Sequence, residues 1–332
     1  MAGPKLSTRR ECFRLPFEVI VAIVGLVLGI VLMAVSSDKA VEHSVKIALA
    51  LRISPFMIGL VLVSIGTDLP EIINSIISCA VGHADIELGD SLGSVLTQMT
   101  LVIGLLPFLA GKFKVKRKEV LVIGACEILA LILAVSIAEK GYFTRINALF
   151  LVASWPVFML LTRSATAKNA KEKEHGIARN DKSHLRHWVI AILGFVGVAI
   201  GAYVVIQSVI ALSDFFPVSE YLISFFVVAI GTSLPELVVD LMALRKKQYG
   251  LAIGDAIGSC IVDATVSVGI GQCFFPQAVS GGTAMITGLY AIFGSIVVVL
   301  TLALRQKVDK KAGGLFILVY LLSYTLLSVV NA

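Results

Sequence analysis

The chain has 332 residues, of which 58% are apolar and only 15% are Asp, Glu, Lys or Arg, with a formal net charge of +6. A soluble globular protein carries about 25% charged residues, so a water-soluble domain is excluded. The Lys and Arg residues fall between apolar runs, where they report orientation in a membrane, and no nucleic-acid partner is expected.

In chain order, Lys5, Arg9, Arg10 and Arg14 precede an apolar run that opens at Phe17. The run continues to about Ser37, too far for a cleaved signal peptide, and predicts a retained first helix. Runs and breakers then predict ten spans, at 17–37, 54–80, 86–109, 120–138, 143–161, 188–212, 221–244, 251–275, 284–304 and 314–330. A helix rises 1.5 Å per residue, so about twenty residues cross the ~30 Å hydrocarbon layer. Ser44–Arg52 carries Lys46 and Arg52 on an apolar stretch and reads as an amphipathic lead-in to the second span. Residues 163–187 are polar and basic and read as a cytoplasmic linker between two halves, 1–162 and 188–332. A linker this short has no room for a folded sensing domain of ~100 residues.

Loops after odd-numbered spans hold 22 of the 28 Lys and Arg residues, including Lys112, Lys114, Lys116, Arg117, Lys118, Arg245, Lys246 and Lys247. The positive-inside rule places those loops in the cytoplasm and both termini outside. Cys12, Cys79, Cys126, Cys260 and Cys273 are odd in number and scattered, and read as packing residues, with no zinc or redox centre and no resident cofactor.

Sliding the chain against itself by 165 residues aligns 65–104 with 230–269 without a gap, at 12 identities in 40 positions. In the first copy the identities read Ile65-Gly66-Thr67, Leu69-Pro70-Glu71, Gly89-Asp90, Gly93-Ser94, Thr100 and Gly104. The second copy repeats them as Ile230-Gly231-Thr232, Leu234-Pro235-Glu236, Gly254-Asp255, Gly258-Ser259, Thr265 and Gly269. Most are Gly, Pro, Thr, Ser, Asp and Glu, which apolar composition alone does not produce. Five spans per half is an odd number, so the second half enters the membrane from the opposite side. The fold class read from this is an all-α polytopic membrane protein, ten transmembrane helices arranged as two inverted five-helix repeats with motifs at 64–104 and 229–269.

Glu71 and Glu236 sit deep in apolar spans, where an ionised carboxylate costs at least several kcal/mol, so a cation or a proton must neutralise each. No Lys or Arg lies at comparable depth in any span. Thr67 precedes Glu71 by four residues, as Thr232 precedes Glu236, on one helix face. Pro70 and Pro235 have no N–H, so the carbonyls of Gly66 and Gly231 lose a helical partner. Carboxylate, hydroxyl and carbonyl oxygens together are the hard ligands that suit Ca²⁺. Asp90, Ser94 and Gln98, like Asp255, Ser259 and Asp263, are spaced by four and line one face. Gly89, Gly93, Gly254 and Gly258 beside them permit close helix approach. Gln98 and Asp263 are placed centrally, and Asp90 and Asp255 nearer the mouths or as helix caps.

The two segments resemble the α-repeats of the calcium/cation antiporter superfamily, in particular the prokaryotic members of its sodium/calcium exchanger branch. The resemblance covers about 80 residues closely. It implies an acidic pair at Glu71 and Glu236, hydroxyl ligands at Thr67, Thr232, Ser233, Ser94 and Ser259, and an amide/acid pair at Gln98 and Asp263. It further implies exchange of Ca²⁺ for Na⁺ by alternating access, with two mobile helices sliding past the core in a lipid bilayer. The chain departs from the family at Asp68, where Ser is usual, at Gln98, Asp90 and Asp255, where Asn is usual, and at Val95 and Cys260. Asp68, Glu71, Glu236 and Asp263 carry up to four negative charges, more than one Ca²⁺ balances, which keeps H⁺, K⁺ or further Na⁺ open as coupling ions. Asp240, one turn past Glu236, adds charge or faces a water-filled vestibule. An intramembrane aspartyl protease would want Gly-x-Gly-Asp and Tyr-Asp motifs; neither Gly-Asp pair has that context and Tyr-Asp is absent. A channel or scaffold leaves the repeated carboxylates unexplained.

Overall fold

The computed structural model describes residues 11–50, 64–166, 184–216, 218–245, 247 and 249–330. The first helix, α1, runs over Glu11–Ala50 without interruption. It is longer than the span at 17–37 and absorbs residues 44–50, so no separate lead-in forms there. Between Ser37 and Ala50 there is neither Gly nor Pro, and Glu42 pairs with Lys39 at 3.1 Å and with Lys46 at 2.7 Å along the same face. Residues 51–52 of the lead-in and 54–63 of the second span lie outside the described residues.

The remaining part of the second span is broken. A short α2 (Ser64–Thr67) stops at Asp68 and restarts as α3 (Leu69–Ala80), because Pro70 cannot donate to the preceding turn. The third span is one rod in three pieces: α4 (Ala84–Leu96), a π-helical turn (Thr97–Val102) and α5 (Ile103–Leu109). Strand β1 (Phe113–Lys114) leads to α6 (Arg117–Ala138) and α7 (Arg145–Thr166).

The second half repeats this order. Helix α8 (His184–Phe215) is followed by α9 (Glu220–Ile223), a π turn (Ser224–Val228) and α10 (Ala229–Thr232). The chain breaks at Ser233 and resumes as α11 (Leu234–Arg245). Then come α12 (Tyr249–Val262), a π turn (Asp263–Ser267), α13 (Val268–Phe274), α14 (Gly281–Arg305), β2 (Lys307–Val308) and α15 (Lys310–Val330). The ends of the proposed linker are therefore helical, to Thr166 and from His184, and its middle, 167–183, lies outside the described residues.

Eight helices among the described residues are long and apolar enough to cross a membrane. Leu69–Ala80 is a shorter apolar helix. Apolar side chains such as Leu28, Val31, Leu149, Leu193 and Leu304 are exposed on the helix surfaces, as a hydrocarbon solvent requires. The chain is a multi-pass, predominantly helical membrane protein.

The two long helices α1 and α8 lie against each other through a seam of small residues. A Cβ on Gly29 would stand 3.0 Å from the Gly201 carbonyl, and one on Gly201 would stand 2.9 Å from the Gly29 carbonyl. Two small links tie the remaining helices. Strands β1 and β2 pair antiparallel with Phe113 opposite Val308, joining the loops after the third and ninth spans. Tyr142 pairs with Ala278, joining the loops after the fourth and eighth. Odd-span loops thus meet odd and even meet even. At the basic end Asp309 caps α15, accepting from the Ala312 N–H at 3.0 Å and from Arg305 at 2.8 Å, and these contacts hold its carboxyl below the usual range.

Candidate cation site at the helix breaks

The helices that follow the breaks pack on the π turns of the opposite half, α3 on Asp263–Ser267 and α11 on Thr97–Val102. Thr67 and Thr232 are the last residues of α2 and α10, Asp68 and Ser233 occupy the breaks, and Glu71 and Glu236 sit in the first turns of α3 and α11. Ser94 and Ser259 project from α4 and α12. Gln98 lies in the π turn Thr97–Val102, and Asp263 opens the π turn Asp263–Ser267. Such turns insert an extra residue into the hydrogen-bond ladder and frequently mark functional sites. All ten of these residues are buried.

Contacts between the halves follow the 165-residue repeat. Thr67 Oγ1 lies 3.4 Å from Ser259 Oγ, and its counterpart pair, Ser94 Oγ and Thr232 Oγ1, is 3.3 Å apart. Gln98 Nε2 donates to Asp263 Oδ2 at 3.1 Å, and Ser267 donates to the other Asp263 oxygen at 3.4 Å. Ser233 donates to the Ala229 carbonyl at 2.7 Å, which occupies its proton and leaves its oxygen lone pairs.

The carboxylates are the exception to this pairing. Both oxygens of Asp68, Glu71 and Glu236 are buried without a hydrogen-bond partner among the described residues. The charges acting on Asp68 are those of Asp263, Glu236, Glu71 and Asp255, and those on Glu71 are Glu236, Asp263 and Asp90. Among the described residues no Lys or Arg side chain is buried, so no internal cation offsets them. No three His, Cys, Asp or Glu side chains among the described residues close on one point as a metal-binding group. A cation here would draw on carboxylates together with the hydroxyls of Thr67, Ser94, Thr232 and Ser259.

The glycines act as expected in the first copy. A Cβ on Gly89 would stand 2.3 Å from the Tyr221 carbonyl, and one on Gly93 would stand 2.5 Å from that of Phe225. The equivalent neighbours of Gly254 and Gly258 would be residues 56 and 60, outside the described residues.

Asp90 and Asp255 neither cap a helix nor lie in a solvated loop. Both are buried, six residues into α4 and α12. Asp90 accepts from Asn74 Nδ2 at 2.6 Å and from Thr232 Oγ1 at 3.0 Å. Asp240 faces no open vestibule and is fully buried. Sequence reading missed Asn74, whose spacing of three from Glu71 puts it on the same face. Cys260, a packing residue by composition, also donates its thiol to Gln98 Oε1 at 3.3 Å. Glu87 and Glu127 were missed as well; they are buried and accept from Ser91 at 3.0 Å and Ser295 at 2.8 Å. A lone carboxylate inside the apolar run 120–138 is the available signal for Glu127.

The sodium/calcium exchanger protein family matches the chain over residues 21–163 and 186–329. The chain belongs to the sodium/calcium exchanger family. An uncharacterised membrane protein of Methanocaldococcus jannaschii is 31% identical over 249 residues, covering 74% of this chain and 80% of that protein. A sodium/calcium exchanger of Methanosarcina acetivorans is 22% identical over 89% of this chain and 95% of its own length. Among solved structures, the sodium-calcium exchanger NCX_Mj superposes with a TM-score of 0.61 at 28% identity, over 92% of this chain and 98% of that one. Family membership makes this exchanger relative a transporter of cations, and the buried carboxylates lie where its two repeats meet.

Proposed function

We propose that the protein exchanges Ca²⁺ for Na⁺ across the cell membrane by alternating access, at a midplane site formed by Glu71, Glu236, Asp263, Asp68, Gln98, Thr67, Thr232, Ser233, Ser94 and Ser259. One observation carries this reading. Two glutamates at equivalent positions of a repeat are fully buried, with both oxygens of each unpartnered among the described residues. A buried carboxylate without a cation or proton is too costly to keep, and hard oxygen ligands in this mixture suit Ca²⁺ and Na⁺.

In this reading ten spans form two inverted five-helix repeats, residues 1–162 and 188–332, joined by a cytoplasmic linker at 163–187. The termini lie outside. The pairing of odd-span loops through β1 and β2, and of even-span loops through Tyr142 and Ala278, supports the alternation of sides. The seam of small residues between α1 and α8 supports their moving as one unit past the site. Ca²⁺ and a monovalent ion are substrates, and no resident cofactor takes part.

Asp68 favours a second version, in which H⁺ or K⁺ replaces Na⁺ as the coupling ion, because it adds a carboxylate to the central cluster. The deciding experiment is ⁴⁵Ca uptake into proteoliposomes under an imposed Na⁺, pH or K⁺ gradient. Uptake driven by Na⁺ alone is the expected result. Uptake driven only by one of the other gradients replaces the coupling ion, and no uptake under any of them ends the antiporter reading.

A further inference from the structure

The two repeats differ at the ends of their carboxylate stripes. In the first, Asp90 is satisfied at both oxygens, by Asn74 Nδ2 and by Thr232 Oγ1. Ser75 beside it accepts from the Gly271 N–H at 3.1 Å. In the second repeat, 165 residues on, Val239 stands for Asn74 and Asp240 stands for Ser75. The amide donor is gone and a carboxylate has been added.

The consequence is visible in the packing. Asp240 is fully buried, and neither of its oxygens has a partner among the described residues; Asp255 Oδ2 is likewise buried and unpartnered. The helices that carry them, α11 and α12, pack against each other, and the nearest charges acting on Asp240 are those of Asp255 and Glu236. Asp240 precedes Arg245 by five residues and Asp255 follows Tyr249 by six, so both lie within ~9 Å along the helix of the turn that joins them. They therefore stand between the central carboxylates and the basic odd-loop face.

We propose that Asp240 and Asp255 form an outer site for a divalent cation, on the odd-loop side, distinct from the central site and feeding it. Two carboxylates balance one divalent ion, whereas a monovalent ion leaves a charge buried. On the opposite face Asn74 and Thr232 occupy the corresponding oxygens of Asp90, so Asp90 offers no equivalent free carboxylate. The inference rests on the cation-antiporter reading and adds to it an asymmetry between the two approaches.

The test is equilibrium ⁴⁵Ca²⁺ binding to the purified full-length protein in Na⁺-free buffer, comparing native protein with Asp240→Ser, which installs the residue the first repeat uses. A second variant, Val239→Asn, offers Asp255 the kind of amide that Asn74 gives Asp90. Native protein is expected to bind one equivalent of Ca²⁺ more than either variant, while Glu71→Gln loses a different equivalent. Native protein binding a single equivalent that both variants keep overturns the outer site and leaves the central reading standing. A single equivalent lost in both variants but kept in Glu71→Gln supports the outer site and overturns the central one. No Ca²⁺ binding by native protein overturns both.

Discussion

Gln98 donates to Asp263 at 3.1 Å, and the two residues hold the same position in the two copies of the repeat. One member is an amide and the other an acid, so the contact is a hydrogen bond where two acids would repel. It also fixes Asp263 at the meeting of two π turns. Gln98→Glu keeps the shape and replaces the donor by a second carboxylate. Relative to native protein at the same pH, its Ca²⁺ uptake is expected to be at least about tenfold lower near pH 8, equivalent to ~1.4 kcal/mol, and to recover partly near pH 6 as a proton restores the bond. Equal relative uptake at both values would show that the contact does not govern the site.

Glu71→Gln and Glu236→Gln test the central pair. Each removes a buried charge, which eases membrane insertion, while taking a charged oxygen from the ion. Both variants are expected to reach native levels in the membrane and to lose Ca²⁺ uptake. Transport at native rates in either one takes that glutamate out of the site.

Orientation has a direct chemical test. With 22 of 28 basic residues on the odd-loop side, a cysteine at Asn169 in a cysteine-free background should resist an impermeant thiol reagent in intact cells and react once the membrane is opened. Labelling of intact cells would reverse the topology.

The repeat was legible because its identities are residues that hydrophobicity does not explain: Gly for close approach, Pro for the break, acid for charge. From these the disruption of each helix at Pro70 and Pro235 could be read. The π turns could not, since an extra residue in the hydrogen-bond ladder leaves no composition behind it. Nor could the partnership of Asn74 with Asp90, which depends on how α3 packs on α4 across the turn at Gly82. The helical continuation of α1 past Ser37 was hidden because hydropathy records where lipid ends, and Glu42 and its two lysines carry the helix on into the polar region.

Close packing gives a stability prediction. A Cβ on Gly89 would meet the Tyr221 backbone carbonyl at 2.3 Å, a backbone group that moves only if its helix moves. Overpacking of this kind costs about 1–3 kcal/mol. Gly89→Ala is expected to lower the melting temperature of the purified protein in detergent, whereas Gly282→Ala, with no described atom near its Cβ, leaves it unchanged. An unchanged melting temperature for Gly89→Ala would mean that α4 and α9 separate freely.

Asp68 stands where the family resemblance implies Ser. It occupies the first break, fully buried, with both oxygens unpartnered among the described residues. The second repeat has Ser233 at the same position. One Ca²⁺ offsets two of the four charges on Asp68, Glu71, Glu236 and Asp263, so the remainder must be met by protons or monovalent ions. If protons meet it, they compete with the arriving cation. Transport by native protein should then fall as external pH drops from about 8 to 6, and Asp68→Ser should flatten that dependence while retaining Na⁺-driven Ca²⁺ uptake. If a monovalent ion meets it, Asp68→Ser changes the Na⁺ or K⁺ requirement and leaves the pH profile as it was. A variant equal to native protein in both profiles would place the Asp68 charge outside the transport cycle, and the balance would then have to be struck among Glu71, Glu236 and Asp263 alone.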